Sequence, residues 1–224
     1  MVPTELRTAL LVGATGLVGR ELLSVLLDAS EYSKVKIFTR KKLDIEHPKL
    51  EQLVVNYNQL TDYKDHVHVN DIYCCLGTTI KKAGSQDAFR KVDYEYPLAL
   101  AMLGKECHVD KFLIITAMGA DDSSKVFYSR VKGEVEEAIK QVGLRSLYFF
   151  RPSLLLGKRQ EFRLGEHFAS ILSPFYSILM VGSLQKYKPI HAKNVALAMY
   201  QVGKKDGIGT YTYLSHEIQD LSEE

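Results

Sequence analysis

The sequence predicts an α/β fold, a doubly wound parallel sheet covered by helices on both faces. Short apolar runs rich in β-forming residues alternate with longer helical patterns, which is typical of parallel sheets. These runs show little internal alternation, as expected for strands that are buried on both faces. The first run leads directly into a glycine-rich turn that opens a helical pattern. The candidate strands are residues 9–13, 34–40, 53–56, 71–77, 111–117 and 146–152.

Helical patterns cover 17–29, 93–108 and a stretch near 195–202. No internal repeat, low-complexity segment or linker divides the sequence, so we expect a single domain over 1–224. The alternation of strands and helices weakens beyond residue 155. We therefore expect about 155–224 to contribute a small portion that faces a substrate.

Composition predicts a globular protein with reduced cysteines. The 224 residues are 46% hydrophobic, which is enough to bury one sizeable core. The 29 basic and 27 acidic residues are spread along the chain, so no basic tract predicts binding to nucleic acid or to an anionic membrane. Cys74 and Cys75 are adjacent in an apolar run and Cys107 is alone, which favours reduced thiols over a disulfide framework.

The sequence shows no recognisable leader or spanning segment, and we expect a cytoplasmic protein. The first residues pass from "PTELRT" into an apolar run, without the charged start and cleavage site of a signal peptide. The apolar stretch 168–184 contains Pro174 and falls short of the roughly twenty unbroken apolar residues of a spanning helix. We interpret it as a pocket wall or a homodimer seam.

Three glycines, Gly13, Gly16 and Gly19, follow the first strand in "LLVGATGLVGREL". A glycine-rich turn between a strand and a helix lets the backbone approach a pyrophosphate, whose charge is met by free N–H groups and by the helix dipole. Gly13 would permit the tight turn, Gly16 the close approach, and Gly19 the packing of helix on strand. The G-x-x-G-x-x-G spacing departs from the general fingerprint, and a turn without a ligand is the alternative.

The end of the second strand predicts the cofactor. An enzyme that prefers NAD usually has an acidic residue here for the ribose 2′-hydroxyl, whereas a 2′-phosphate requires a nearby arginine. This strand ends in "FTRKK", and Arg40 and Lys41 could bind a 2′-phosphate with charge-assisted hydrogen bonds. We therefore favour NADP(H). The alternative is that both residues only solvate a loop.

Tyr128 and Lys132, in "FYSRVKGEVEEAI", are the candidate catalytic pair. Residues four apart lie on the same face of a helix, and an ammonium beside a phenol allows tyrosine to act as a general acid or base at neutral pH. Tyr32 and Tyr200 also have a lysine at this spacing, so spacing alone does not decide. Only Tyr128 follows the fifth strand and a polar loop, where the cofactor crevice is expected.

Several motifs together resemble a known family. "GATGLVG", "CCLGTT", "KKAGSQDAFRKVD", "AMGAD", "FYSRVKGEVE" and "RPSLLLG" resemble the atypical short-chain dehydrogenases/reductases, within them the branch of the HIV Tat-interactive protein oxidoreductase and its bacterial relatives. The likeness covers nearly the whole chain and is densest over 71–163. It implies an NADPH-binding Rossmann fold in which Tyr128 donates or accepts the proton and Lys132 is its partner.

The same resemblance implies which residues contact the cofactor. Arg40 and Lys41 would bind the 2′-phosphate, and Leu76 and Gly77 would cover the adenosine side. The residues implied at the pyrophosphate are Thr15, Gly16, Leu17 and Val18. The residues implied at a further contact with the cofactor, in "RPSLLLGKRQEFR", are Leu155 and Arg163.

One position departs from the broader superfamily, which adds a serine after the fifth strand to polarise the substrate carbonyl. Here the sequence is "IITAMGAD", in which Thr116 could supply the hydroxyl, although a β-branched residue at the end of a strand is also a packing choice. We predict no metal site, because His108, His167 and His191 lie far apart in sequence and show no ligand spacing.

Three functions are compatible with these residues. The first is a reductase in which NADPH delivers hydride to a carbonyl and Tyr128 protonates the oxygen. The second is an NADPH-binding sensor with little or no catalysis, and the third is an epimerase or isomerase. The expected partner is a small molecule, in one interpretation an apolar carbonyl compound, and a homodimer is a further expectation.

Overall fold

The computed structural model describes residues 6–157 and 187–224. Within them, seven parallel strands form one sheet in the order β3-β2-β1-β4-β5-β6-β9, and β7 and β8 form a small second sheet. The strands are β1 (Arg7–Val12), β2 (Tyr32–Thr39), β3 (Leu50–Val54), β4 (Asp71–Cys74), β5 (Lys111–Ile115), β6 (Ser146–Arg151), β7 (Leu155–Leu156), β8 (Ile190–His191) and β9 (Gly209–Leu214).

Helices connect these strands across both faces of the sheet. A 3₁₀ helix covers Tyr57–His66, and a π-helical turn over Lys91–Glu95 joins α3 to α4. The α-helices in the described part of the chain are α1 (Leu17–Asp28), α2 (Ile80–Ala83), α3 (Gln86–Arg90), α4 (Tyr96–Glu106), α5 (Phe127–Val142), α6 (Ala192–Lys204) and α7 (Ser215–Leu221).

The predicted fold class is confirmed, and each candidate strand overlaps an observed one. The candidate strand 71–77 was too long, because β4 ends at Cys74 and the chain then continues as a loop. Sequence reasoning missed β9, although its "GTYTYL" segment consists largely of β-forming threonine and tyrosine. The stretch 168–184, interpreted as a pocket wall or homodimer seam, lies outside the described residues.

The sheet separates two hydrophobic clusters because neighbouring strand residues point to opposite faces. On β1, Leu11 packs in the cluster that contains α1 and α6, whereas Leu10 packs in the cluster that contains α4 and α5. Both leucines are completely buried. Full burial of one such side chain stabilises the fold by roughly 1.5–3 kcal/mol, so the two layers of helices hold the central strands firmly.

A polar cluster closes the amino edge of the sheet, opposite the predicted crevice. Arg7 donates two hydrogen bonds to Asp71, from Nε at 2.7 Å and from Nη2 at 2.6 Å. The Tyr32 hydroxyl donates to the same carboxylate at 2.7 Å. Asp71 is fully buried, and these charge-assisted bonds join the starts of β1, β2 and β4.

Replacing Asp71 with alanine is expected to lower the free energy of unfolding by about 3 kcal/mol, because Arg7 and Tyr32 lose their buried acceptor. Urea titration followed by circular dichroism measures this change. The control is Glu51→Ala, which removes an exposed carboxylate 3.3 Å from Lys34. That variant should lose less than about 1 kcal/mol, and equal losses would contradict the expected importance of the Asp71 cluster.

Candidate active site

The turn between β1 and α1 approaches the loop after β4 very closely. Gly13 has a φ of +90°, in the left-handed region. A Cβ at Gly13 would lie 2.5 Å from the Cys75 carbonyl oxygen, and a Cβ at Gly19 would lie 2.1 Å from the Gly13 carbonyl oxygen. Both positions therefore require glycine for the backbone to pack as it does.

The start of α1 presents backbone N–H groups at the carboxyl edge of the sheet. Gly16 is the N-cap residue, and its N–H donates to the Gly13 carbonyl at 2.9 Å. No side chain caps this end, and the first turn contains no acidic residue. The N–H groups of Leu17 and Val18 therefore lack an intrahelical partner and can bind an anion, beside the exposed Thr15.

The basic residues after β2 are exposed at the same edge of the sheet. Arg40 and Lys41 directly follow the buried Thr39, whose hydroxyl donates to the Lys41 carbonyl at 2.7 Å. Further along this loop, Gln52 accepts a hydrogen bond from the Leu43 N–H at 2.9 Å. The loop is thus shaped by buried and half-buried polar groups, and both basic side chains remain accessible to solvent.

Lys132 lies deep in the crevice in an ion pair. Its Nζ is 2.7 Å from Oδ1 of Asp93, and the side chains of Lys132 and Asp93 are 6% and 1% exposed. The other oxygen of Asp93 accepts a hydrogen bond from the Thr78 N–H at 2.9 Å. A Cβ at Gly77 would lie 3.5 Å from Asp93 and 4.0 Å from Lys132. The loop containing Leu76 and Gly77 therefore packs against the ion pair.

The neighbours of Lys132 stabilise its charged form. Burial opposes the charged form, but the nearby Asp93 carboxylate and the Tyr128 hydroxyl outweigh this and raise the pKa of Lys132. Lys132 is therefore an ammonium at neutral pH. Tyr128, one turn earlier on α5, is 38% exposed, and its ring packs on Phe89 with the centroids 5.6 Å apart. The pair thus combines an accessible phenol with a buried ammonium.

Thr116 follows β5 as expected, but its hydroxyl is not free to polarise a substrate carbonyl. It is buried, and its hydroxyl donates to Oε1 of Glu136 at 2.5 Å. Glu136, on α5, is fully buried and also accepts hydrogen bonds from Arg151. The prediction is corrected because the one hydroxyl hydrogen of Thr116 is used by a buried carboxylate. Thr116 instead joins the end of β5 to α5.

The remaining predicted contact residues are divided between described and undescribed parts of the chain. Leu155 lies in β7, which pairs with β8. Two residues later, a Cβ at Gly157 would lie 2.8 Å from a methyl group of Leu17, so this segment packs over the start of α1. Arg163 lies outside the described residues.

Sequence reasoning missed four residues that shape the site. Phe89 and Asp93 both occur in "KKAGSQDAFRKVD", but no local pattern indicated that they would contact α5. Glu136 was hidden among the charged residues of an amphipathic helix. Arg151 ends β6, and its contact with Glu136 raises the pKa of Arg151. Only the packing of distant segments brings these side chains together.

Comparisons with known proteins establish the family. No family model matches the chain. Protein HTATIP2 of Rattus norvegicus is 38% identical over 167 residues, which cover 73% of this chain and 69% of that protein. The chain belongs to the HTATIP2 family. A second relative in this family, "Protein FMP52, mitochondrial" of Candida albicans, is 28% identical over 201 residues, or 87% of each chain.

Solved structures confirm the Rossmann-type fold. The Bordetella bronchiseptica enzyme WbmH, in complex with NAD+, superposes with a TM-score of 0.72 at 14% identity and covers 98% of this chain and 80% of its own. UDP-glucose 4-epimerase of Thermotoga maritima, with UDP-glucose, gives a TM-score of 0.67 at 14% identity over 96% of this chain and 81% of its own. At this identity the likeness establishes the fold, and the ligands belong to those proteins.

The relatives overturn one prediction. The expected cytoplasmic location is wrong, because several fungal relatives are named "FMP52, mitochondrial". The absence of a recognisable signal-peptide pattern did not identify the compartment. Among residues 6–157 and 187–224, no helix has the length and hydropathy required to cross a bilayer.

Replacing Thr116 with valine is expected to lower the free energy of unfolding by about 1–2 kcal/mol, because Glu136 loses a buried hydrogen-bond donor while the side-chain volume is kept. Thermal and urea unfolding measure this loss. The control, Thr212→Val, changes an exposed threonine of β9 and should stay within about 0.5 kcal/mol of the parent protein. A Thr116→Val variant as stable as the control would contradict the assigned contact.

Proposed function

We propose that the protein is an NADPH-dependent oxidoreductase that reduces a carbonyl group, with Tyr128 as general acid and Lys132 as its partner. The observation that carries this proposal is the pair itself. An accessible phenol and a buried ammonium lie on successive turns of α5, close enough to interact electrostatically. An accessible tyrosine next to a fixed positive charge is suited to proton transfer.

The turn after β1 supports binding of the cofactor's pyrophosphate. Gly13 and Gly16 leave the backbone without side chains, and no side chain or acidic residue competes at the start of α1. The β1 and β4 loops meet where the strand order reverses, which is the point at which doubly wound sheets bind ligands. Thr15, Leu17 and Val18 would contact the pyrophosphate there.

Arg40 and Lys41 support the choice of NADPH over NADH. Both side chains are exposed directly after β2, and the residue that precedes them is a threonine rather than a carboxylate. A 2′-phosphate would accept charge-assisted hydrogen bonds from both, whereas the 2′-hydroxyl of NADH would find no carboxylate at this position. Leu76 and Gly77 would cover the adenosine side.

The chemistry divides between cofactor and protein. NADPH supplies a hydride to the carbonyl carbon when it is bound. Tyr128 donates its hydroxyl proton to the carbonyl oxygen as negative charge develops there. The Lys132 ammonium, paired with Asp93, stabilises the phenolate that remains, and it would hold the ribose of a bound cofactor. Solvent then returns a proton to Tyr128, which its partial exposure permits.

The substrate class that we propose is an apolar carbonyl compound. Val126, next to the start of α5, is 62% exposed, and Leu154, just after β6, is 43% exposed. Both lie at the carboxyl edge of the sheet, where exposed apolar side chains favour an apolar ligand. A homodimer remains a further expectation from the sequence.

A second candidate function is an NADPH-binding sensor without turnover, and Thr116 favours it. A reductase of this type gains from a hydroxyl that polarises the carbonyl, and the Thr116 hydroxyl is used by Glu136. The Tyr128 and Lys132 pair favours the reductase, because a sensor has no use for a proton donor. Turnover of carbonyl compounds by the purified protein separates the two functions.

Replacing Tyr128 with phenylalanine is expected to lower kcat by about 10²-fold or more and to leave the Kd for NADPH nearly unchanged, because only the proton donor is lost. Stopped-flow kinetics and calorimetry measure the two quantities. The matched control is Tyr211→Phe, which removes the hydroxyl of a tyrosine on β9 that is 40% exposed. Unchanged turnover in Tyr128→Phe would refute the role of Tyr128.

Replacing Arg40 and Lys41 together with alanine is expected to weaken NADPH binding by about 100-fold and NADH binding by less than about threefold, because only the 2′-phosphate loses its partners. Calorimetric titration with each dinucleotide measures the difference. The control, Lys34→Ala, removes an exposed lysine of β2 that pairs with Glu51. Equal losses for NADPH and NADH would exclude a 2′-phosphate site at these residues.

A further inference from the structure

One short segment contacts both members of the candidate catalytic pair. α3 and the π-helical turn that follows it, residues 86–95, contain Phe89 and Asp93, which are four residues apart. Phe89 contacts Tyr128, and Asp93 contacts Lys132, which are also four residues apart on α5. The spacing of the two residues on segment 86–95 therefore matches the spacing of the pair on α5: Phe89 contacts the phenol, and Asp93 contacts the ammonium.

The contact of Phe89 with α5 is apolar. Phe89 is fully buried, and its ring centroid lies 5.6 Å from that of Tyr128 and 5.7 Å from that of Phe127. The start of α5 has no side-chain cap, because its N-cap residue is Val126. Tyr128 is itself partly exposed, so one side of its ring faces solvent. Phe89 thus packs against Tyr128 on the protein side and limits where the ring can lie.

The contact of Asp93 with α5 is ionic. One carboxylate oxygen lies 2.7 Å from the Lys132 Nζ, and the other accepts the Thr78 N–H at 2.9 Å. Both charged groups are buried, so the position of the ammonium is tied to the Asp93 carboxylate. Asp93 also fixes the loop after β4 relative to α5.

The segment contains a π-helical turn, in which Asp93 lies. The N–H of Tyr96 donates to the Lys91 carbonyl, five residues earlier, which is the hydrogen-bond pattern of a π-helical turn. Such turns are rare and occur frequently at functional sites. Phe89 precedes the turn and Asp93 lies within it, and their contacts show that both side chains face α5.

We propose that Phe89 and Asp93 are a pair of positioning residues, which set the ring of Tyr128 and the ammonium of Lys132 as one unit. This inference rests on the proposed function. It assigns a role to segment 86–95: the phenol and the ammonium keep a fixed relation because both contact the same short segment. Both residues would act through Tyr128 and Lys132.

The first test uses the protein without any ligand. The 13 tyrosines are labelled with 3-fluorotyrosine, and the Tyr128 signal is assigned by its absence in Tyr128→Phe. Phe89→Leu and Asp93→Asn are each expected to move or broaden the Tyr128 fluorine signal. The matched controls are Phe112→Leu and Asp71→Asn, which change a fully buried phenylalanine and a fully buried aspartate elsewhere in the sheet. The controls should leave that signal unchanged.

The second test separates binding from turnover. Phe89→Leu is expected to lower kcat by about tenfold with an unchanged Kd for NADPH, because the phenol is displaced but the cofactor site is intact. Asp93→Asn keeps an acceptor for Thr78 and removes the charge, and it is expected to lower kcat and weaken NADPH binding by about tenfold each. If Phe89→Leu fails to fold, Phe89→Met replaces it, because the unbranched methionine side chain adapts better to an irregular space.

An unmoved Tyr128 signal in Phe89→Leu and Asp93→Asn, or an equal change in the matched controls, would overturn the inference. The proposed function fails separately, if the parent protein neither binds NADPH nor turns over a carbonyl compound. The fluorine spectra of the ligand-free protein still test the contacts of Tyr128 in that case, because they require neither cofactor nor substrate.

Discussion

The buried ion pair between Asp93 and Lys132 is the interaction on which the candidate site depends. Removing two charges from water is costly, so the pair is not explained as a simple source of stability. Its effect is geometric, because it joins α5 to the π-helical turn and, through the Thr78 N–H, to the loop after β4. These three segments form the wall of the crevice next to the turn after β1. A charge that is needed in a dry crevice requires such a partner.

The glycine motif shows how packing and ligand binding share the same residues. Gly13 and Gly19 have no room for a Cβ because of backbone atoms of this chain, before any ligand is considered. Glycines at these positions would be required even for a turn that bound nothing. The case for a dinucleotide therefore depends more on the uncapped start of α1 and on its place at the reversal of strand order.

Glu136 gives α5 a second buried anchor. It accepts hydrogen bonds from Thr116 at the end of β5 and from Arg151 at the end of β6. A buried carboxylate needs such partners, and here they come from two adjacent strands of the sheet. α5 is thus held by Asp93 at Lys132 and by β5 and β6 one turn later. The candidate catalytic helix is fixed on both sides, which suits a site that must hold reacting groups in place.

The sequence by itself determined the first six strands of the main sheet, the glycine turn and the shared face of Tyr128 and Lys132. These features follow from local periodicity and from spacing within one element, so neighbouring residues suffice to define them. It also located the basic residues Arg40 and Lys41, because they directly follow the end of β2 in the sequence. The tertiary structure decided which groups neutralise the buried charges. It also showed that the Thr116 hydroxyl donates a hydrogen bond to Glu136. Asp93 and Phe89 meet α5 only when distant segments pack together, and no local pattern encodes contacts between residues that are far apart in the chain.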